Sequence, residues 1–174
     1  MTRRYPDEPA GTFPAPPRQV TDREGRSIQL RRADATDRTA LIEMYKQFDP
    51  ADRAQGIPPA RETAIERWLE NILDTDRYNV VASHEGDLVG HATLVPDDDD
   101  GYELAIFVLS AYQGAGIGTE LVETLLGHGQ SEGIEQVWLT VERWNDPAIA
   151  LYRKVGFETS NSERFEQEMA IRLA

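Results

Sequence analysis

The sequence predicts a mixed α/β fold, a mixed central sheet with helices on both faces. Three observations carry that expectation. Short apolar runs of β type alternate with stretches whose apolar residues recur at helical spacing. Tight turns rich in Gly, Asp and Glu join neighbouring strands as hairpins, which makes those strands antiparallel. A length of 174 residues suits one domain with a sizeable core.

Residues 1–17 hold Pro6, Pro9, Pro14, Pro16 and Pro17 with few apolar side chains, and are expected to be a mobile arm ahead of a single domain at 18–174. Residues 18–21 and 27–31 flank Asp22-Arg23-Glu24-Gly25 and read as a hairpin. Asp34 is placed to cap a helix running through Phe48, with Leu41, Met44, Tyr45 and Phe48 on one face. Residues 49–60, with Pro50, Gly56, Pro58 and Pro59, read as a loop. A second helix carries Ile65, Trp68, Leu69, Ile72 and Leu73 at core spacing.

Residues 78–83 and 88–95 are strands joined by Glu85-Gly86-Asp87, and His91 on the second reads as a structural histidine. Asp97, Asp98, Asp99 and Asp100 read as a solvated hairpin loop, since a cation site needs ligands that converge in space. Residues 102–109 form the central strand, and a helix follows to about Gln130, its end weakened by Gly127, Gly129 and Gly133. Residues 135–142 form the next strand. Asp146 reads as a cap and Pro147 as a first-turn proline, starting a short helix with Ile149, Leu151, Tyr152 and Val155. Residues 157–160 and 165–173 supply the last strands.

Composition narrows the function. There is no cysteine, which excludes a disulfide framework, a thiolate metal site and a cysteine nucleophile, and His84, His91 and His128 are too scattered to hold a metal. No apolar run approaches the length of a membrane span, and the first residues lack an apolar leader core, so a cytoplasmic protein without a membrane partner is expected. Acidic residues outnumber basic ones by 31 to 18, with Lys46 and Lys154 the sole lysines, for a net charge of −13. Such a field disfavours nucleic acid and favours cationic partners, although acidic, lysine-poor composition also resembles adaptation to a salt-rich cytoplasm.

The most informative stretch follows the central strand. Gly114, Gly116 and Gly118 open a helix whose Ile117, Leu121, Val122, Leu125 and Leu126 share one face. A helix start exposes N–H groups and a partial positive charge, and glycines let a ligand approach the backbone, so the turn suits an anion, most often a phosphate. A dinucleotide-binding turn is the structural rival, because Gly114 and Gly116 partly reproduce its fingerprint and Glu142 stands near the place of a ribose-binding acid. Four residues separating strand from glycines, Thr119 in place of the third glycine, and the mid-chain position count against it.

Gln113-Gly114-Ala115-Gly116-Ile117-Gly118 resembles the Q/R-x-x-G-x-G/A signature of the GCN5-related N-acetyltransferases, matching at Gln113, Gly116 and Gly118. About thirty residues on, the strand Val137 to Val141, Asn145, and Leu151-Tyr152-Arg153-Lys154-Val155-Gly156-Phe157 are similar to the family's second block. The resemblance covers roughly residues 26–174. It implies a mostly antiparallel central sheet of about six to seven strands, and acetyl-coenzyme A as cosubstrate, with no metal. Its pyrophosphate would lie on the N–H groups of Gly114, Ala115, Gly116, Ile117, Gly118 and Thr119. Its pantetheine arm would pair with the strand end at Phe107, Val108 and Leu109 and touch Asn145. Family members often carry basic residues after the glutamine, and Gly114 and Ala115 depart from that, leaving amides and the helix dipole, with Arg153 and Lys154 available elsewhere. The resemblance also makes residues 48–61 candidates for acceptor contact.

Two residues are expected to do chemistry. An alkylamine with a pKa of about 10.4 is neutral to only about one part in a thousand at pH 7, so attack on a thioester benefits from a base. Glu103, near the start of the central strand, matches the glutamate base of some family members. Tyr152 matches the tyrosine whose hydroxyl lies near the departing sulfur. A backbone N–H near Val108 or Leu109 would serve the carbonyl oxygen. The expected activity is direct transfer of an acetyl group to a primary amine, a protein lysine or N-terminus first and a polyamine, amino acid or aminoglycoside-like amine second. A regulatory acetyl-coenzyme A-binding module is the alternative of another class. The protein is expected to be a monomer or homodimer.

Overall fold

The computed structural model describes residues 3–48, 61–74, 77–163 and 165–174. Strands β1 (Arg18–Thr21), β2 (Ser27–Arg32), β3 (Tyr78–His84), β4 (Asp87–Pro96), β5 (Tyr102–Val108), β6 (Gln136–Glu142), β7 (Glu158–Ser162) and β8 (Glu166–Arg172) form one sheet in the order β1-β2-β3-β4-β5-β6-β8-β7. Eight strands stand where six to seven were expected, because the first hairpin and the last two strands all join the same sheet. Every pairing is antiparallel except β5 with β6, the two strands connected by a helix.

Among the described residues there are four helices, α1 (Arg38–Tyr45), α2 (Glu62–Ile72), α3 (Ile117–Ser131) and α4 (Asp146–Val155). They lie on both faces, because β4 is buried over nearly its whole length and so has two faces to cover. Gly90 and Leu94 of β4 meet Leu121 and Gly129 of α3 on one face, while His91 meets Tyr45 of α1 on the other. The core joins Leu41, Tyr45, Ile65 and Leu69 to Val80, Leu94, Leu121, Leu125, Val137 and Ile171.

Local signals act largely where expected. Asp34 forms a capping box with Asp37, although the turn it caps is a short 3-10 segment before α1. Glu85 (φ 52°) and Gly86 (φ 89°) give the β3–β4 turn the left-handed residues a tight hairpin requires. The cap of α4 differs from expectation by one residue: Asn145 accepts from the Ala148 N–H, and Asp146 is the first helical residue. Gly127 and Gly129 lie inside α3 rather than ending it. A Cβ on Gly127 would run into the Pro14 carbonyl, so this glycine lets the preceding segment pass against the helix.

Residues 3–17 contain no regular secondary structure, in keeping with their prolines. They nevertheless have partners. The Phe13 N–H donates to Gln130 Oε1, the Gln130 amide donates to the Gly11 carbonyl, the Ala10 N–H donates to the Arg172 carbonyl, and Arg172 Nε donates to the Pro6 carbonyl.

Candidate active site

The site begins where β5 and β6 part. Only Tyr102 with Val137 and Glu103 with Trp138 are in register, and beyond them the strands no longer pair. On its other side β5 stays paired with β4 through Val108 opposite Gly90, and the Leu109 N–H donates to the Val89 carbonyl at 2.9 Å. Backbone groups alternate along a strand, so those of Ile106 and Val108 turn toward the gap left by β6. The Gln113 side-chain amide donates to the Val108 carbonyl at 2.9 Å, which fixes the turn to the strand end. Since the Leu109 N–H is engaged, the donor facing the gap is the Val108 N–H, which has no acceptor among the described residues.

Past a single turn, Ser110–Tyr112, the chain enters the glycines. Gly114 (φ 73°) and Gly116 (φ 90°) adopt the left-handed conformation that other residues reach only with strain, and Gly116 is the N-cap of α3. No side chain caps this helix start, and the N–H groups of Ile117, Gly118 and Thr119 have no acceptor among the described residues. Ala115 and Ile117 are buried, so they offer a ligand backbone rather than side chain. Thr119 and Gly116 line a cavity of about 210 Å³ together with Thr21, Arg23, Glu120 and Lys154.

Arg23 is a residue the sequence reading did not single out. The β1–β2 turn rests on the glycine turn through its N–H on the Ala115 carbonyl (3.0 Å), and the Arg23 guanidinium reaches the Gly114 carbonyl at 3.5 Å. Arg26 lies over the Tyr112 ring at 4.2 Å. The charge missing from positions 114 and 115 is thus present beside the turn, brought by Arg23 from a distant strand pair and by Lys154 from α4. No signal in the four-residue hairpin turn points to this role.

At the other end of β5 stands Glu103, about 13 Å along the strand from Phe107. Its side chain is exposed, yet surrounding atoms still withdraw water from the carboxylate, and this desolvation raises its pKa. Arg3 pulls it down and Asp97, Glu166 and Glu168 push it up, leaving a net rise. The same sheet face carries Phe107, in edge contact with Tyr45 (5.6 Å) and Trp68 (5.5 Å). Behind them His91 is fully buried. Asn79 Oδ1 only accepts, so His91 Nε2 bears the hydrogen (2.7 Å) and Nδ1 accepts from the Tyr45 hydroxyl (2.6 Å). Burial lowers its pKa to about 3. A neutral ring with both nitrogens engaged is a structural group, in line with the sequence reading.

Tyr152 lies on the buried face of α4, its ring 5.8 Å from that of Phe157, and Leu151 beside it approaches Gly118 at the start of α3. Its hydroxyl has no hydrogen-bond partner among the described residues, and burial raises its pKa to about 12. Asn145 is exposed and spends its carbonyl on the cap of α4, and its NH2 has no partner among the described residues. Strand end, Gln113 and glycine turn therefore form one continuous surface. Glu103 and Tyr152 stand on separate elements with no bond between them. Residues 49–60, the larger part of the segment expected to touch the acceptor, lie outside the described residues. Among the described residues no acidic or histidine cluster has the arrangement of a metal site, and no helix is long and apolar enough to cross a membrane.

Comparison with known proteins agrees with this geometry. A family model described as the acetyltransferase (GNAT) family matches residues 38–157. An uncharacterized N-acetyltransferase of Mycobacterium bovis is 33% identical over 100 residues, which is 57% of this chain and 64% of the relative. A mycothiol acetyltransferase of Saccharomonospora viridis is 38% identical over 139 residues, 73% of this chain and 44% of that protein. The chain thus spans less than two thirds of these curated relatives. Among solved structures, the GNAT domain of S. lividans PAT superposes with a TM-score of 0.78 at 20% identity, covering 90% of this chain and 97% of that one. A ribosomal-protein-alanine N-acetyltransferase of Brucella melitensis gives 0.65 at 25% identity, covering 82% and 97%.

Proposed function

The chain belongs to the GNAT acetyltransferase family, and from that premise we propose that it transfers an acetyl group from acetyl-coenzyme A directly to a primary amine. The observation that carries the reading is the continuous surface from the unpaired edge of β5 to the uncapped start of α3. An extended pantetheine arm pairs with the first, and a pyrophosphate accepts from the N–H groups of the second, with Arg23 and Lys154 adding charge. The residues fit the cosubstrate without a metal.

In the proposed reaction the acceptor gives up its ammonium proton to Glu103, directly or through one water. Its nitrogen then forms the new N–C bond as the C–S bond breaks, and the second proton it sheds returns through solvent to replace the one that Tyr152 gives the sulfur. The Val108 N–H is placed to donate to the carbonyl oxygen as it gains charge. Tyr152, held protonated by its raised pKa, donates to the sulfur. Both substrates held together give the proximity that direct attack requires. The acceptor proposed first is a protein lysine or N-terminal amine, and second a small amine; the acidic field of the chain attracts either in its cationic form.

The test is thiol release from acetyl-coenzyme A with a panel of peptide and small amines. Release that depends on an amine, with the acetyl group recovered on it, supports the proposal. Tight cosubstrate binding with no release by any amine would favour the binding module instead.

A further inference from the structure

Arg3 occupies an unusual position. Its guanidinium stacks on the Trp138 ring, 3.5 Å from the centroid. It pairs with Glu168 at 2.7 Å and Asp97 at 3.3 Å, and Asp97 also accepts from Trp138 Nε1 at 2.8 Å. An aromatic face with carboxylates on its rim is the arrangement that holds an organic cation. Trp138 is the register partner of Glu103, on the last pair before β5 and β6 part, so the two side chains leave the same face of the sheet. The cation therefore sits one strand away from the proposed base, on the face that also carries Phe107.

The arm is held beside this point by Tyr5, whose hydroxyl packs against Gly101 next to Asp97 and hydrogen-bonds with Arg3, and again further along. Pro6 and Ala10 are tied through their backbones to Arg172, and Phe13 to Gln130. Arg3 is thus a side chain on a short tether, held by charge and stacking to the recess next to Glu103. A tether of this kind gives its cation an effective concentration in the millimolar range.

We propose that the recess of Trp138, Asp97 and Glu168 is a cation subsite for the acceptor, and that Arg3 is its internal occupant, which a dicationic amine displaces. The acceptor then carries a second positive group, seated on Trp138, besides the amine delivered to Glu103. This rests on the acetyltransferase reading for the role of Glu103, but the binding itself does not need turnover.

The probes are 1,4-diaminobutane, butylamine as the single-charge control, and a short neutral-capped peptide containing Lys-Arg. Calorimetric titration without acetyl-coenzyme A compares the wild type with Arg3→Ala and Arg3→Lys. Removing the internal competitor is expected to tighten binding of the diamine, the peptide or both by about tenfold, with butylamine changing less and Arg3→Lys behaving as wild type. Which probe gains distinguishes a small from a peptide acceptor. Equal affinities for both dications in wild type and Arg3→Ala would overturn the proposal and leave Arg3 a tether of the arm. Should Arg3→Ala not fold, the Arg3 Nε–H resonance of the wild type decides. It is expected to move to its free position as diamine or peptide is added through the millimolar range, and an unmoved resonance overturns the subsite. Displacement without acetyl transfer would refute the enzyme alone; transfer without displacement would refute the subsite alone.

Discussion

Replacing Gly116 by alanine separates two things the glycine turn does. Gly116 sits at φ 90°, ψ −1°, and a Cβ there would meet only Arg23 Nε at 3.8 Å, an ordinary contact. The fold therefore loses only the left-handed preference, about 1–2 kcal/mol. In a domain of this size that lowers Tm by about 2–8 °C. The same methyl group points into the cavity shared with Arg23, Thr119 and Lys154, where a pyrophosphate must approach the backbone. Affinity for acetyl-coenzyme A is expected to fall by at least about tenfold, equal to roughly 1.4 kcal/mol. Gly133 supplies the control. It has φ +85° and open space around a Cβ, and it follows the far end of α3, about 22 Å from the turn. Gly133→Ala should melt like Gly116→Ala yet bind like wild type. Thermal melts and calorimetric titration of the two variants are the assay. Equal binding by both would refute the assignment of the turn to phosphate.

Tyr152→Phe should lower kcat by about 10²-fold or more while KM for acetyl-coenzyme A and Tm barely change, because the hydroxyl has no partner among the described residues; steady-state kinetics and a melt read both. Glu103→Gln should abolish the acidic limb of the pH–rate profile: the raised pKa predicts that wild-type activity climbs with pH above the usual carboxylate range as Glu103 loses its proton, and superimposable profiles would exclude it as the base. His91 has a folded pKa of about 3 against 6.5 unfolded, so the unfolded state takes up a proton first and stability is lost as pH falls below about 6.5. Between pH 7 and pH 5 this amounts to about 2 kcal/mol, and denaturant midpoints of His91→Gln should lack that part of the slope.

How far the sequence reaches differs by kind of information. The glycine turn, the strand before it and the α3 face were legible because each depends on residues near one another in the chain. His91 was legible as structural, but its partners Tyr45 and Asn79 were not, since they arrive from α1 and β3. The parting of β5 and β6 left no trace in either strand's sequence, because pairing is decided by what packs on both. Arg23 and Arg3 escaped for the same reason: a charged residue in a turn or a proline-rich arm looks solvated until the fold brings a carbonyl or a Trp ring beside it. The run from Asp97 to Asp100 read as one acidic loop, yet Asp97 alone receives the N–H groups of Asp99 and Gly101 and the Trp138 indole, the work of a turn anchor.

In the proposed reaction the acetyl group crosses the gap between β5 and β6. The most direct measurement mixes the protein with acetyl-coenzyme A labelled in its acetyl group and an amine panel, and follows thiol and labelled amine together. Equal amounts of both are expected, appearing only with an amine and slowed in Tyr152→Phe. Label that stays on coenzyme A while the protein binds it, or release of thiol without any labelled amine, would contradict that reaction.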